Sequence, residues 1–345
     1  MVVKSVAVLV VIPLLFTSVS FSGGESDYEV SVIGFESEGM LLKGLLFVPE
    51  GANGAPAVIV LHGFGGMKDL YCSRPYAADY YGGHYGLAEE LCSRGFVVLV
   101  YDQRGTGETG GDINLKLMVK DVPRAVTFLQ QRPEVDDERI GLMGHSLGGM
   151  LAGIAAGMDE RIKATTLWAA PASIEISIET MVGGIIPIIG QTIGEVLYSF
   201  IDMVVTDLPA YPLVLFSETV AKISYPLFAS FAVQVSYGIK FSPNGFDILV
   251  GHCESPVPAY LGMFQDGKEL RTEDYVGRIA PRPLLIVHGT EDTTVYPKNS
   301  EILYENAGEP TTLVWVENTN HMFKEPEWKG DEVVRLTAEW FVENL

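Results

Sequence analysis

The chain predicts an α/β fold: a doubly wound, mostly parallel sheet with helices on both faces and a mainly helical cap insertion. Three observations predict it. Unbroken apolar runs recur along the chain, each ended by glycine, polar or charged residues, as expected for strands covered on both faces. Between them lie stretches with apolar residues at helical spacing, and such alternation implies right-handed crossovers. The segment Gly144-His145-Ser146-Leu147-Gly148 stands where a strand-like stretch meets a helix-like one.

In chain order, the loosely alternating Tyr28–Phe35 and the run Leu41–Val48 flank a turn at 36–40 that contains Gly39, a hairpin pattern. The buried-strand runs follow as Ala57–Leu61, Phe96–Tyr101, Ile140–Met143, Ala164–Trp168, Pro283–Val287 and Thr312–Val316. Helical stretches are Tyr85–Arg94, Leu115–Gln131, Gly149–Gly157, Ser300–Ala307 and Glu332–Leu345. Leu115–Gln131 carries Leu117, Met118, Val122, Ala125, Val126 and Leu129 at helical spacing, which is what drives an amphipathic helix onto a sheet.

The alternation stops between Ser173 and Ala280. Roughly a hundred residues is too long for a crossover loop, and the stretch is rich in Ile, Val, Phe and Tyr. Ile193, Val196, Leu197, Phe200, Ile201 and Val204 share one helical face opposite Glu195, Ser199 and Asp202, so the insert is expected to be a cap over the C-terminal strand ends. A membrane-embedded hairpin is the alternative, because Ile223–Ile239 is an uncharged window at the lower limit of a span. The expected organisation is therefore an N-terminal segment at 1–24, a core at 25–173, a hydrophobic cap at 174–280, and the rest of the core at 281–345.

The N-terminal segment has Lys4, an apolar stretch from Ser5 to Phe16, and small residues at Ser18 and Ser20. That is the pattern of a cleaved secretory signal. An uncleaved anchor is the alternative, since Ser5–Gly24 is uncharged and nearly spans a bilayer. Either reading puts the protein outside the cytoplasm, secreted or held at a membrane. No cysteine lies near the cleavage zone to take a lipid.

The chain has 345 residues, is 48% hydrophobic and carries a formal charge of −21. The apolar content is ample for a core. The negative charge argues against nucleic acid or anionic lipid as a partner through charge attraction. Cys72, Cys92 and Cys253 are too few for a disulfide framework and fit no zinc spacing. A Cys72–Cys92 bridge and three free thiols both remain open at this stage.

The chemistry starts at Ser146. A serine hydroxyl is a weak nucleophile unless a base takes its proton and an acid orients that base. His321 follows the last strand, and Asp292 follows the strand before it in His288-Gly289-Thr290-Glu291-Asp292. The order Ser146, Asp292, His321 is the one expected for a G-x-S-x-G nucleophile. Glu291 is a rival acid beside Asp292. Of the other histidines, His84 and His252 lack a matching strand-end context, and His145 and His288, in strand-end turns, are expected to pack or hydrogen-bond rather than to act in catalysis. An oxyanion also needs amide donors. Leu147 supplies one, and the loop His62-Gly63-Phe64-Gly65-Gly66 the other, through Phe64 first and Gly65 second.

Together H-G-F-G-G, D-Q-R-G-T-G-E-T at Asp102–Thr109, G-H-S-L-G-G and H-G-T-E-D resemble the α/β-hydrolase superfamily. The resemblance covers nearly everything outside the N-terminal segment and the cap. It implies a serine hydrolase acting on an ester, thioester or amide, with Asp102–Gly105 as scaffold. The approach Pro133–Gly141 is similar to the dienelactone hydrolase and peptidase-like branches. Two departures stand out: the nucleophile is serine where dienelactone hydrolases use cysteine, and no propeller domain precedes the core as in prolyl oligopeptidases. The expected activity is cleavage of a carboxylic ester with a hydrophobic acyl or alcohol part, without metal or organic cofactor. A peptidase or amidase, a cofactor-free haloperoxidase, and a non-catalytic membrane-associated binding protein are the alternatives. The expected partner is a small ester or acyl substrate, with membrane association through the N-terminal segment or the apolar cap, and the oligomeric state is not read from the sequence.

Overall fold

A computed structural model describes residues 27–73, 85–174, 176–177, 239–242, 245–248, 266–267, 269–324 and 327–345. The N-terminal segment, most of the expected cap, His84, His252 and Cys253 lie outside the described residues.

Ten strands and six helices are present among the described residues. The strands are β1 (Tyr28–Ser37), β2 (Met40–Pro49), β3 (Ala55–Leu61), β4 (Val97–Tyr101), β5 (Val135–His145), β6 (Ile162–Trp168), β7 (Ile239–Ser242), β8 (Gly245–Ile248), β9 (Leu284–Gly289) and β10 (Thr311–Val316). The helices are α1 (Leu87–Ser93), α2 (Leu115–Gln130), α3 (Leu147–Met158), α4 (Glu273–Val276), α5 (Lys298–Asn306) and α6 (Gly330–Asn344). The main sheet has eight strands in the order β1-β2-β4-β3-β5-β6-β9-β10. The β1–β2 and β2–β4 pairs are antiparallel, and the pairs from β4 to β10 are parallel.

The β1–β2 hairpin turns at Glu38-Gly39, with φ of 47° and 77°. Two left-handed residues match the right-handed twist of the flanking strands, and glycine adopts the second without a Cβ clash. Every residue of β4 and Val58–Leu61 of β3 are buried, as central strands covered on both faces require. One apolar cluster joins one face of the sheet to α2 and α3, and a second joins the other face to α1 and α6. Asn114 caps α2 by accepting from the Leu117 amide at 2.9 Å, which satisfies one orphan donor of the first turn.

The insert departs from its expected outline in two places. Ile239–Ser242 and Gly245–Ile248 pair as antiparallel strands β7 and β8 instead of helix. Asn244-Gly245 in the sequence is the corresponding hairpin signal. The core also resumes before 280: the Glu273 amide donates to the Ala172 carbonyl at 3.2 Å, and Val276 and Ile279 are buried in the α2–α3 cluster. One helical turn at α4 is too short for periodicity to reveal. No described helix is long and apolar enough to cross a membrane.

Cys72 and Cys92 are buried free thiols. Burial, with the Glu89 charge adding, pushes the Cys92 thiol up to about 12, so it stays protonated and unreactive.

Candidate active site

Ser146 sits between β5 and α3 with φ 55° and ψ −122°. A non-glycine residue at positive φ is strained, and the surrounding structure must hold it there. Its amide donates to the Trp168 carbonyl at 2.8 Å, and its carbonyl accepts from the Met150 amide at 3.0 Å. Close approach demands glycine on both sides. A Cβ on Gly144 would lie 2.1 Å from the Gly148 carbonyl oxygen, and one on Gly148 would lie 2.4 Å from that of Leu61. The half-buried serine thus stands at the N-terminus of α3, where helix amides and the helix dipole favour developing negative charge. Leu147 is the first residue of that helix.

The loop after β3 passes directly against the serine. A Cβ on Gly63 would lie 3.0 Å from the Ser146 Cβ and 3.7 Å from its Oγ. The Gly66 amide donates to the Gly63 carbonyl at 3.0 Å, closing a turn with Phe64 and Gly65 at its corners and Gly65 at φ 74°. His62 Nδ1 donates to the same carbonyl at 2.8 Å, leaving Nε2 to accept from the Gln103 amide at 3.1 Å. Gln103 Nε2 returns a bond to the His62 carbonyl at 2.5 Å. Burial lowers the His62 pKa, against the Gly63 bond and the Asp102 charge, so the ring is a neutral brace.

Asp102 lies under this brace and accepts from the Lys68 amide at 2.8 Å, the Glu108 amide at 2.8 Å and Lys68 Nζ at 2.9 Å. Arg104 Nε pairs with Asp121 at 2.8 Å, and its Nη2 donates to the Ser37 carbonyl at 2.7 Å. Asp102 and Arg104 are scaffold.

Asp292 and His321 meet at the same edge of the sheet. His321 Nδ1 donates to Asp292 Oδ2 at 2.6 Å. A carboxylate only accepts, so Nδ1 carries the proton and Nε2 presents its lone pair. The other acceptor sites of Asp292 are occupied too: Oδ1 takes the Thr294 and Val295 amides at 2.8 and 2.9 Å, and Oδ2 takes His288 Nε2 at 3.1 Å. Burial alone would raise this carboxyl's pKa. Electrostatic attraction from the His321 ring and the bonds donated by His288 and His321 outweigh it and hold the group well below the usual carboxylate range. Glu291, the rival acid, is exposed, and its amide donates to the Thr319 carbonyl at 2.9 Å.

Two buried histidines serve these loops, as packing and hydrogen-bonding groups. His288 Nε2 donates to the Val295 carbonyl at 2.7 Å, and its Nδ1 accepts from Ser300 Oγ at 2.6 Å. His145 Nε2 donates to the His321 carbonyl at 3.0 Å, and its Nδ1 meets the Tyr71 hydroxyl at 3.0 Å. Burial, and after it the neighbouring His321 ring, push His145 down to about 3, against its bond to the His321 carbonyl. Tyr71 is the participant that sequence reasoning missed, since no local motif marks it. Among the described residues, no three His, Cys, Asp or Glu side chains cluster in a way that would hold a metal ion.

The alpha/beta hydrolase family model matches residues 58–335. The chain belongs to that family. It is 36% identical over 130 residues to thiohydrolase aneE of Aspergillus aculeatus, covering 36% of each chain. With polyketide transferase ATR5 of Stachybotrys chlorohalonatus it shares 25% identity across 83% of this chain and 87% of that one. The chain spans little more than a third of the length of the curated relatives it matches first. Among solved structures, Est1E of Butyrivibrio proteoclasticus with ferulic acid bound superposes with a TM-score of 0.58 at 20% identity, covering 90% of this chain and 98% of that one.

Proposed function

We propose that the protein is a serine hydrolase that cleaves an acyl ester or thioester through a covalent intermediate on Ser146. The 2.6 Å bond between Asp292 and His321 carries this reading, because it fixes the tautomer in which His321 Nε2 is the base. In the proposed cycle His321 Nε2 takes the Ser146 proton as Oγ bonds to the acyl carbon. The Leu147 and Phe64 amides stabilise the oxyanion. His321 then gives its proton to the departing alkoxide or thiolate. Water repeats the sequence on the acyl-enzyme, releasing the acid and restoring Ser146.

The apolar insert supports a substrate with a hydrophobic part. The relative named a thiohydrolase adds thioesters to the substrates worth testing. A fluorophosphonate probe and a panel of p-nitrophenyl esters, acyl thioesters and aminoacyl amides test the proposal. Wild type should label, and Ser146→Ala should lose labelling and lower kcat by about 10⁴-fold or more. An unlabelled, inactive wild type would favour the binding-protein alternative. Turnover confined to amides would favour the peptidase, and a strict preference for acetyl esters would remove the hydrophobic-substrate element.

A further inference from the structure

Three groups form a directed hydrogen-bond chain beneath the site. The His321 carbonyl can only accept, so His145 Nε2 carries the ring's proton in the 3.0 Å bond between them. The neutral ring's Nδ1 is then an acceptor, and the Tyr71 hydroxyl 3.0 Å away must donate to it. Both donors therefore point one way: Tyr71 O–H to His145, and His145 N–H to the carbonyl of His321. The Tyr71 and His145 side chains are buried, among Tyr85, Trp168 and Phe323, where an unmade bond finds no water to replace it.

The accepting end of this chain bears on the candidate site: His145 precedes Ser146, and the carbonyl it donates to is that of His321 itself. We propose that Tyr71 and His145 are positioning residues that hold the nucleophile turn and the general base in register. The proposal rests on the reading of Ser146 as nucleophile. It differs from simple core packing because the His145–His321 bond ties together the two loops whose relative position sets the reaction geometry, and small misplacements there are costly.

Tyr71→Phe removes only the hydroxyl. It should lower kcat by about 5- to 50-fold, leave KM nearly unchanged, and slow fluorophosphonate labelling by a similar factor while the final labelled fraction stays at the wild-type level. Thr337→Val is the control. It removes the buried bond from Trp168 Nε1 to Thr337 Oγ1, 2.9 Å long, in the same aromatic neighbourhood but on no catalytic loop. It should lower Tm and leave kcat in place. Wild-type kcat in Tyr71→Phe, or kcat losses that track Tm equally in both variants, would overturn the positioning role while wild-type labelling leaves the Ser146 reading standing. A wild type that the probe never labels would overturn that reading, and this one with it.

Discussion

Two buried aspartates lie at the same edge of the sheet, Asp102 after β4 and Asp292 after β9, and both are fully hydrogen-bonded. Their donors differ in kind. Asp102 is held by two backbone amides and by Lys68, whose ammonium continues to the exposed Glu108 at 2.8 Å. That path leaves the protein at the surface. Asp292 is also held by two amides, but its other partners are the imidazoles of His288 and His321. An imidazole that donates through one nitrogen accepts through the other, so the orientation fixed at Asp292 is passed onward to the rim. Burial and satisfaction alone therefore do not separate the two carboxylates; the onward connection of their donors does.

Asp292→Asn is the sharpest way to break this contrast. The side-chain amide cannot accept through both of its atoms, so His321 loses the partner that fixes its Nδ1 proton, and the opposite tautomer has no lone pair on Nε2. We expect kcat to fall about 10³- to 10⁴-fold with KM changing little, measured on the best substrate of the ester and thioester panel. A variant retaining most of its kcat would show that Asp292 is scaffold in the same sense as Asp102.

How much of this contrast was legible in the sequence depends on how local each signal is. β3, β4, β6 and β9 stand out because strands buried on both faces leave continuous apolar runs, whereas β10 carries such a run at the sheet edge with only Val316 buried. β5 starts earlier than its apolar run, at Val135, because the register jumps from Ala55↔Val135 to Ala57↔Ile140 and the polar residues Asp136, Asp137 and Glu138 fill the gap. Ser146, Asp292 and His321 stand out in the sequence because each lies in the turn or loop that follows a strand, with turn residues beside it. Glu291 and Asp292 are equivalent at that level. Only the backbone turn after Gly289 puts one carboxylate inside and the other in water. Tyr71 meets His145 across 74 positions of chain, and such a contact has no local period or motif to announce it. The β7–β8 hairpin was missed because the apolar composition of the insert outweighed its single turn signal.

The second test works from the scaffold side. In Asp102→Asn the new NH₂ group faces donors already aimed at it, either the Lys68 amide or the pair formed by Lys68 Nζ and the Glu108 amide. There is no room for the loop to yield, since a Cβ on Gly107 would lie 2.2 Å from the Asp102 Cγ. A buried donor facing a donor costs about 1–3 kcal/mol, so chemical denaturation should register a loss of that order. Turnover should stay within a few-fold of wild type. A collapse of kcat without loss of stability would erase the distinction between the two carboxylates.

The smallest effect separates the two regions by pH. His145, on the Asp292 side, is buried neutral with its pKa pushed down to about 3, against about 6.5 in an unfolded chain. Between those values the unfolded state binds a proton at this position and the native state does not, so stability must fall as pH drops through that window. One such group contributes at most about 1.4 kcal/mol per pH unit. His62, beside Asp102, is shifted in the same direction and adds to the slope, so wild type alone does not assign it. His145→Gln removes one titrating ring and keeps a side-chain N–H for the His321 carbonyl. Its denaturation free energy should therefore fall less steeply than wild type between pH 6.5 and 4, whatever its value at pH 7. Equal slopes would mean that His145 takes up its proton in the folded protein, and the fixed direction of its hydrogen bonds to Tyr71 and His321 would have to be abandoned.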